Sequence, residues 1–317
     1  MKTGIGAVCQ AGMQSAWGTP VAPTAKINMT SESVECTVEK GDEGNLLPKK
    51  TKDQADIIAV NVDGSVSAIL RPEFADWLFH AALGKKAAND NVYTLADPNT
   101  DLPVSTMVIS RGGIVKTYPD VTITRLTLTC PAQDYVRVSF DISGVRELSA
   151  GETGAQTIQN LSFTLPSYKC TGATLKYDDG GTSAASLTKA LCVEETDISI
   201  ENSTEEAPAT YCDGLYNGRP VLGLRAVTVD VDLPYGDDVE AFRQDYLLNT
   251  DAPTVAIELK FTTADPNEFI TVYMPNVSIN AASGNVDGQG IIGSSISGEA
   301  LSIGTAEPIT VTVNHAA

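Results

Sequence analysis

Histidine is the first candidate for a catalytic acid or base, because its pKa lies closest to neutral pH. The chain contains only two histidines. His80 lies beside Asp76 on the polar edge of an apolar-periodic segment, and His315 belongs to no serine–histidine–carboxylate pattern that we can name. Nucleophilic catalysis needs a nucleophile, a base and a group that orients the base. The sequence therefore predicts no catalytic residue.

Cysteine and carboxylate spacings give no metal site. The six cysteines, at positions 9, 36, 130, 170, 192 and 212, form no CxxC pair of the kind that zinc sites use. The segment DPNTDLP (97–103) opens like a calcium loop, but Leu102 stands where the sharp turn needs glycine. Phosphate loops and dinucleotide fingerprints are absent. We therefore expect no metal and no cofactor.

The charge balance restricts the partners. The net charge is −19, from 21 basic and 40 acidic residues. Such a surface repels phosphate backbones and anionic membranes, which argues against sequence-specific DNA binding and membrane contact. It does not exclude a protein that stays near DNA without binding it. The N-terminus lacks the apolar segment of a secretion signal, so we expect synthesis in the cytoplasm with free cysteines.

Period-two alternation supplies most of the elements that must position any site. VRVSFDIS (136–143), VTVDVDL (227–233) and VAIELKF (255–261) each place apolar residues on one face and polar residues on the other. This pattern predicts half-buried antiparallel strands. Turn signals such as YDDGG (177–181) and TADPNE (263–268) separate the strands. The predicted fold class is all-β, an antiparallel sandwich or barrel.

Two short helices are expected to flank the sheets. RPEFADWLFHAALGKK (71–86) and DDVEAFRQDYLLN (237–249) each carry an apolar stripe at helical spacing. Pro72 suits the first helical position, and Gly84 and Asn249 are predicted to close the two helices in the left-handed conformation.

Nearly the same seven-residue sequence also occurs twice in the chain. YPDVTIT (118–124) and MPNVSIN (274–280) lie 156 positions apart, and the two helices align at 165, each close to half of the 317 residues. A repeat of this length predicts an internal duplication. We predict a first domain over 1–155, with an N-terminal arm (1–30) and a long loop (39–56), and a related second domain over 156–317. The alternative is one irregular all-β domain with two unrelated covering helices.

The N-terminal line QSAWGTPVAPTAKINMTSESVE (14–35) resembles that of siphophage tail tube (major tail) proteins. In that family an aromatic-Gly-Thr-Pro-Val line precedes a Ser-Glu-Ser stretch, which here is Ser31–Ser33. The resemblance continues through VDGSVSAILRPEFADWLFHAALG (62–84) and the strands of 118–144, and it is weaker in the second half.

The resemblance implies antiparallel sheets with a flanking helix, in subunits that join into rings and stack into a tube for double-stranded DNA. It implies rings of six single-domain subunits or of three two-domain subunits, and the repeat favours three. The implied partners are other copies of the chain, stacked rings, and tape measure and tail terminator proteins. The implied location is the virion.

Two groups of residues are candidates for sites in such a tube. Acids on the polar faces of strands are predicted to line the lumen: Asp230, Asp232 and Glu258. The long loop, with the N-terminal arm as a second candidate, is predicted to reach the neighbouring ring through Glu39, Asp42, Glu43, Lys49, Lys50, Lys52 and Asp53. Two alternatives stay open: a secreted or surface β-sandwich that binds carbohydrate or protein, and a carboxylate-dependent hydrolase.

Overall fold

The computed structural model describes residues 4–41, 56–88, 91–97, 100–205, 214–216, 218–251, 253–285 and 293–315. Antiparallel strands dominate it and two short helices accompany them, which confirms the all-β prediction. In the first half the elements are β1 (Val8–Met13), β2 (Ala25–Ile27), β3 (Met29–Glu32), β4 (Glu35–Gly41), β5 (Asp56–Ile69), α1 (Pro72–Leu83), β6 (Gly84–Lys86), β7 (Val92–Leu95), β8 (Ser105–Arg111), β9 (Ile114–Pro131), β10 (Arg137–Gly144) and β11 (Leu148–Ser149).

Among the described residues, the second half contains fewer and on average longer strands. Its elements are β12 (Lys169–Asp179), β13 (Lys189–Leu191), β14 (Glu195–Glu205), β15 (Val221–Pro234), α2 (Asp237–Phe242), β16 (Val255–Thr262), β17 (Phe269–Asn285), β18 (Gly293–Ala300) and β19 (Thr310–Asn314). A single turn of 3-10 helix, Ala184–Ser186, lies between β12 and β13.

Helix α1 forms as its sequence predicts. Pro72 occupies the first turn, where a missing N–H costs nothing, and Gly84 ends the helix at φ 94° with its N–H donating to the His80 carbonyl. Its apolar face is buried. Trp77 packs edge-on against Phe140, with ring centroids 5.8 Å apart, and donates its indole N–H to Ser105 Oγ at 3.0 Å.

Helix α2 ends differently from the prediction. Its α-helical part is followed by a wider π-helical turn, Arg243–Leu247, and the Leu248 N–H donates to the Arg243 carbonyl at 3.0 Å. Asn249 does not take the predicted left-handed conformation. Its side chain instead accepts a hydrogen bond from the Asp251 N–H. The π turn therefore closes this helix without a left-handed residue.

The strands form two layers. In the first half, one sheet runs β2–β1–β8–β9–β11, using the first part of β9. In the second half the same pairings recur as β13–β12–β16–β17–β19. The last parts of β9 and β17 belong to the other layer, which holds β4, β5, β10, β14, β15 and β18. Buried side chains from both layers and both helices form one apolar cluster.

The N-terminal segment is built into this fold. Residues 1–30 were expected to form an arm, but β1 pairs on both sides, with β2 and with β8. Cys9 and Ala11 are fully buried. The side-chain amide of Gln10 exchanges two 2.8 Å hydrogen bonds with the backbone of Gln159. Residues 8–13 are therefore part of the sheet and do not form a free arm.

Candidate functional site

The repeated sequence, 118–124 in β9 and 274–280 in β17, lies where each of these long strands bends twice. Between Tyr118 and Val121, two residues of β9 lie opposite one residue of β8, and between Met274 and Val277, two residues of β17 lie opposite one residue of β16. Proline lies inside each bulge, where it costs no ladder hydrogen bond. A second bulge follows in each strand, at Thr124 opposite β10 and at position 280 opposite β18. These bulges move each strand from one layer to the other.

The bends produce a continuous sheet across both halves. Its eight strands run in the order β4–β5–β10–β9–β14–β15–β18–β17, and all the pairings are antiparallel. The junction between the halves is the β9–β14 ladder, which extends from Glu195 opposite Pro131 to Glu201 opposite Arg125. We call this layer the eight-stranded sheet.

One face of the eight-stranded sheet packs on the core and the other is polar. In β15, Val229 and Val231 are nearly fully buried, while Asp230 and Asp232 are exposed on the opposite face. The same alternation runs through the neighbouring strands, where the residues on the polar face are mostly serine, threonine and acids. The acids among them are Glu35, Glu39, Asp63, Asp141, Glu195, Asp197, Glu201, Asp230, Asp232 and Glu299.

Four of these acids form a cluster on β14 and β15, which we call the acid cluster. Glu195 lies opposite Asp232, and Asp197 lies opposite Asp230. Partial burial first, and then the charges of Asp197 and Asp232, raise the pKa of Asp230 above its ordinary value. Burial and the same two charges raise the pKa of Glu195. Like charges directly opposite each other destabilise a sheet, so this arrangement has a cost in the single chain.

The two arginines on the polar face do not offset the acid cluster, because acids already pair with them. Arg125 lies opposite Asp141 on one side and Glu201 on the other, and its Nη2 is 3.7 Å from a Glu201 carboxylate oxygen. Arg137 donates to Asp134 at 2.7 Å. The polar face therefore keeps an excess of negative charge.

The first half carries serines where the second carries the acid cluster. Asp230 lies opposite Ser297 and Ser65 lies opposite Asp141, and positions 141 and 297 are equivalent at the 156-residue offset. Extending this register makes Ser31, Ser33, Ser65 and Ser67 the counterparts of Glu195, Asp197, Asp230 and Asp232. In the first half, the Ser33 and Ser65 hydroxyls lie 3.1 Å apart in a hydrogen bond.

The predicted lumen residues fall in two places. Asp230 and Asp232 lie together on the polar face of the eight-stranded sheet. Glu258 lies on β16 in the other layer, between Lys176 and Tyr273 on the adjacent strands. The structure therefore does not bring Glu258 to the other two acids. Alternation alone cannot tell which layer a strand joins.

The predicted inter-ring residues are mostly outside the described residues. Glu39 is exposed on β4, opposite Ala59. The other candidates, Asp42, Glu43, Lys49, Lys50, Lys52 and Asp53, lie in the segment that the structure does not describe.

Sequence reasoning missed half of the acid cluster. Glu195 and Asp197 alternate with Thr196 and Ile198, both of which are buried. The same period-two signal that identified β15 was therefore present in β14. What the sequence could not supply was the pairing of β14 with β15 in a register that places acid opposite acid.

Within the described ranges, no group of three or more histidine, cysteine or acidic residues is placed to hold a metal ion. Among the same residues, no helix is long and apolar enough to cross a bilayer.

An all-β fold with one broad polar sheet face is typical of a structural protein subunit. A family model described as phage tail tube protein matches residues 4–314. Since the match covers nearly the whole chain, this protein belongs to the phage tail tube family. No curated protein sequence matches it. The chain is a structural component of the virion that assembles with copies of itself into a tail tube, and the family implies a role that is not enzymatic.

Proposed function

We propose that three copies of the chain close into a ring, each contributing two related tube domains, over about 1–155 and 156–317. The observation that carries this proposal is the eight-stranded sheet, which crosses both halves and repeats the same strand order in each. Sheets with open edges pair with other strands, and closure into a barrel removes the edges. Stacked rings make a filament, because the contact between rings does not close on itself.

We further propose that the polar face of the eight-stranded sheet lines the lumen, with Asp230 and Asp232 inside and Glu258 elsewhere. Double-stranded DNA carries about one charge per 1.7 Å, so lysine-lined walls would hold it. Acidic walls repel it within about one Debye length, ~8 Å at physiological salt. The acid cluster thus keeps DNA mobile during its passage. Stacking through the 39–56 loop, and the tape measure and terminator partners, stay predictions from the family resemblance.

Electron microscopy of the purified protein tests the ring. We expect hollow tubes of uniform diameter, whose end-on views have threefold symmetry with a near-sixfold outline. Strict sixfold symmetry with one chain per sector would contradict two tube domains per chain. Particles that stay monomeric at high concentration, and in the presence of a tail initiator, would overturn the ring proposal.

Charge reversal tests the lumen assignment. Tubes of Asp230→Lys/Asp232→Lys are expected to retain short duplex DNA in a salt-dependent manner, whereas wild-type tubes retain none. Glu258→Lys makes the same kind of charge change on the other layer and serves as the matched control. Equal retention by both variants, or retention by the control alone, would show that the polar face of the eight-stranded sheet does not line the bore.

A further inference from the structure

The junction between the two halves provides a template for the contact between subunits. At this junction, β14 of the second half pairs with the last part of β9, on the side opposite β10. The equivalent strands are β4 in the first half and the last part of β17 in the second. Among the described residues, β4 pairs only with β5, and residues 281–284 pair only with β18. Each half therefore has one edge whose counterpart is paired inside the chain.

We propose that β4 of one copy pairs antiparallel with the last part of β17 of the next copy, in the register that places Cys36 opposite Ala282. This inference rests on the proposed ring and specifies how it closes. The β14–β9 ladder places Ile200 opposite Leu126. Position 200 corresponds to 36, because Ile200 lies opposite Val227 as Cys36 lies opposite Val62. Position 126 corresponds to 282 at the 156-residue offset.

The side chains along the two edges suit this contact. On β17, the residues along the open edge are small: Ala281, Ala282, Ser283 and Gly284. They let a second strand approach without steric conflict. In the proposed register Thr37 lies opposite Ala281 and Glu35 opposite Ser283, and no like charges face each other. Main-chain pairing with an added strand is a common mode of protein association.

Beyond the ladder, the internal junction is polar at the end of α1. The Asn202 side-chain amide donates to the Ala82 carbonyl at 2.8 Å and the Ile123 carbonyl at 3.0 Å. Arg225 donates to the Ala82 and Leu83 carbonyls at 3.1 and 3.0 Å. These contacts cover the carbonyl groups that a helix leaves unpaired at its C-terminus.

The corresponding positions between subunits are apolar. Val38 and Val60 are the equivalents of Asn202 and Arg225 in the first half. Val38 lies opposite Val60 in the β4–β5 ladder, as Asn202 lies opposite Arg225 in the β14–β15 ladder. Val38 is 44% exposed in the single chain, and Leu248, at the end of the second helix, is 49% exposed. Exposed apolar side chains on both sides of a contact favour its formation. A second copy would cover both residues.

Disulfide trapping tests the register. In a Cys192→Ser/Cys212→Ser background, Ala282→Cys is placed opposite the native Cys36, and facing residues of an antiparallel pair lie within disulfide reach. We expect a reducible ladder on non-reducing gels that ends at three chains, with no linkage when Cys36→Ser is added. The matched register control is Ala281→Cys with native Cys36, since the two side chains would then lie on opposite faces.

A second pair guards against misfolding of the Ala282 variant, because Thr37 and Ala281 are both exposed. Thr37→Cys/Ala281→Cys in a Cys36→Ser background should link equally. Microscopy of the same samples separates the outcomes. Tubes without linkage in either pair, or linkage only in the control, overturn the register and leave the ring intact. A ladder that continues beyond three chains supports the register and overturns the three-chain ring. Absence of both tubes and links overturns both proposals.

Discussion

Exchanging one opposed pair of the acid cluster for its counterpart in the first half should stabilise the chain. The change is Asp197→Ser/Asp230→Ser, which copies Ser33 and Ser65 from equivalent positions. The wild-type pair places two carboxylates directly opposite each other, and a like-charged cross-strand pair costs about 0.2–1 kcal/mol. Relief of the neighbouring charges adds to this, and solvent screening reduces it. We expect a gain of about 0.5–1 kcal/mol at pH 7.

The pH dependence gives the sharper test. Because the folded-state pKa of Asp230 is raised, the folded chain binds the proton more tightly than the unfolded chain does. Its contribution to stability is present below the ordinary aspartate pKa of about 3.9 and is lost as the pH rises through the folded-state pKa. The advantage of the double variant should therefore grow from about pH 4 to neutrality, and it should shrink at high salt.

Urea denaturation at several pH values, with the assembly state checked by sedimentation, measures the effect. The reciprocal variant, Ser33→Asp/Ser65→Asp, introduces the same opposed charges in the first half and should lose stability at pH 7. A double-serine variant that is less stable than wild type at pH 7, or whose difference from wild type does not change between pH 4 and 7, would refute the reasoning.

Three further substitutions, the first of them with a control substitution, test the fold by thermal or urea denaturation. Gly64→Ala should cost about 2–3 kcal/mol, since φ is 150° and a Cβ would lie 2.6 Å from a backbone oxygen, whereas Gly113→Ala (φ 86°, open space) should cost only about 1. Glu32→Gln should lose about 1–2 kcal/mol at pH 7, because hydrogen bonds from Arg111 lower the pKa of Glu32, and the difference should vanish as acid protonates Glu32 in the wild type. Asn202→Leu should cost about 2–3 kcal/mol, because it removes the buried amide donor to the Ala82 and Ile123 carbonyls and the acceptor of the Arg225 Nε–H. A neutral result for any of them would contradict the contact it tests.

The sequence allowed the local structure to be predicted because alternation and capping are local signals. Strands β10, β15 and β16 and helix α1 lie where the patterns placed them, including the left-handed Gly84. The prediction that Asn249 closes the second helix in the left-handed conformation was wrong, since the π turn found there depends on packing that the apolar stripe of the helix does not encode. The domain boundaries stay a prediction.

The site was only partly predictable, because it depends on which strands become neighbours. Asp230 and Asp232 could be placed on a polar face but not next to Glu195 and Asp197, which belong to another strand. Glu258 has the same alternation as Asp230, yet its strand joins the other layer. Pairing partners are set by bulges and long-range contacts, which a single-strand pattern cannot reveal.

In the proposed ring, each chain contributes two domains that differ in sequence. The ring therefore has two kinds of sector, one per domain, which a ring of six identical domains cannot have. The β6–β7 hairpin lies between α1 and β8, and the described residues of the shorter segment between α2 and β16 contain no strand. Strand β7 adds a ladder to β19 at the junction inside the chain. If six identical domains each carried the acid cluster, the like-charge cost would recur in every sector. With serines in alternate sectors, the cost at these four positions is met in only three sectors. The first half carries its own opposed pair, Glu35 and Asp63, so acidic walls still recur around the bore. The repeated sequence at 118–124 and 274–280 preserves the bulges that bend β9 and β17 in every sector, whereas the residues around it have diverged.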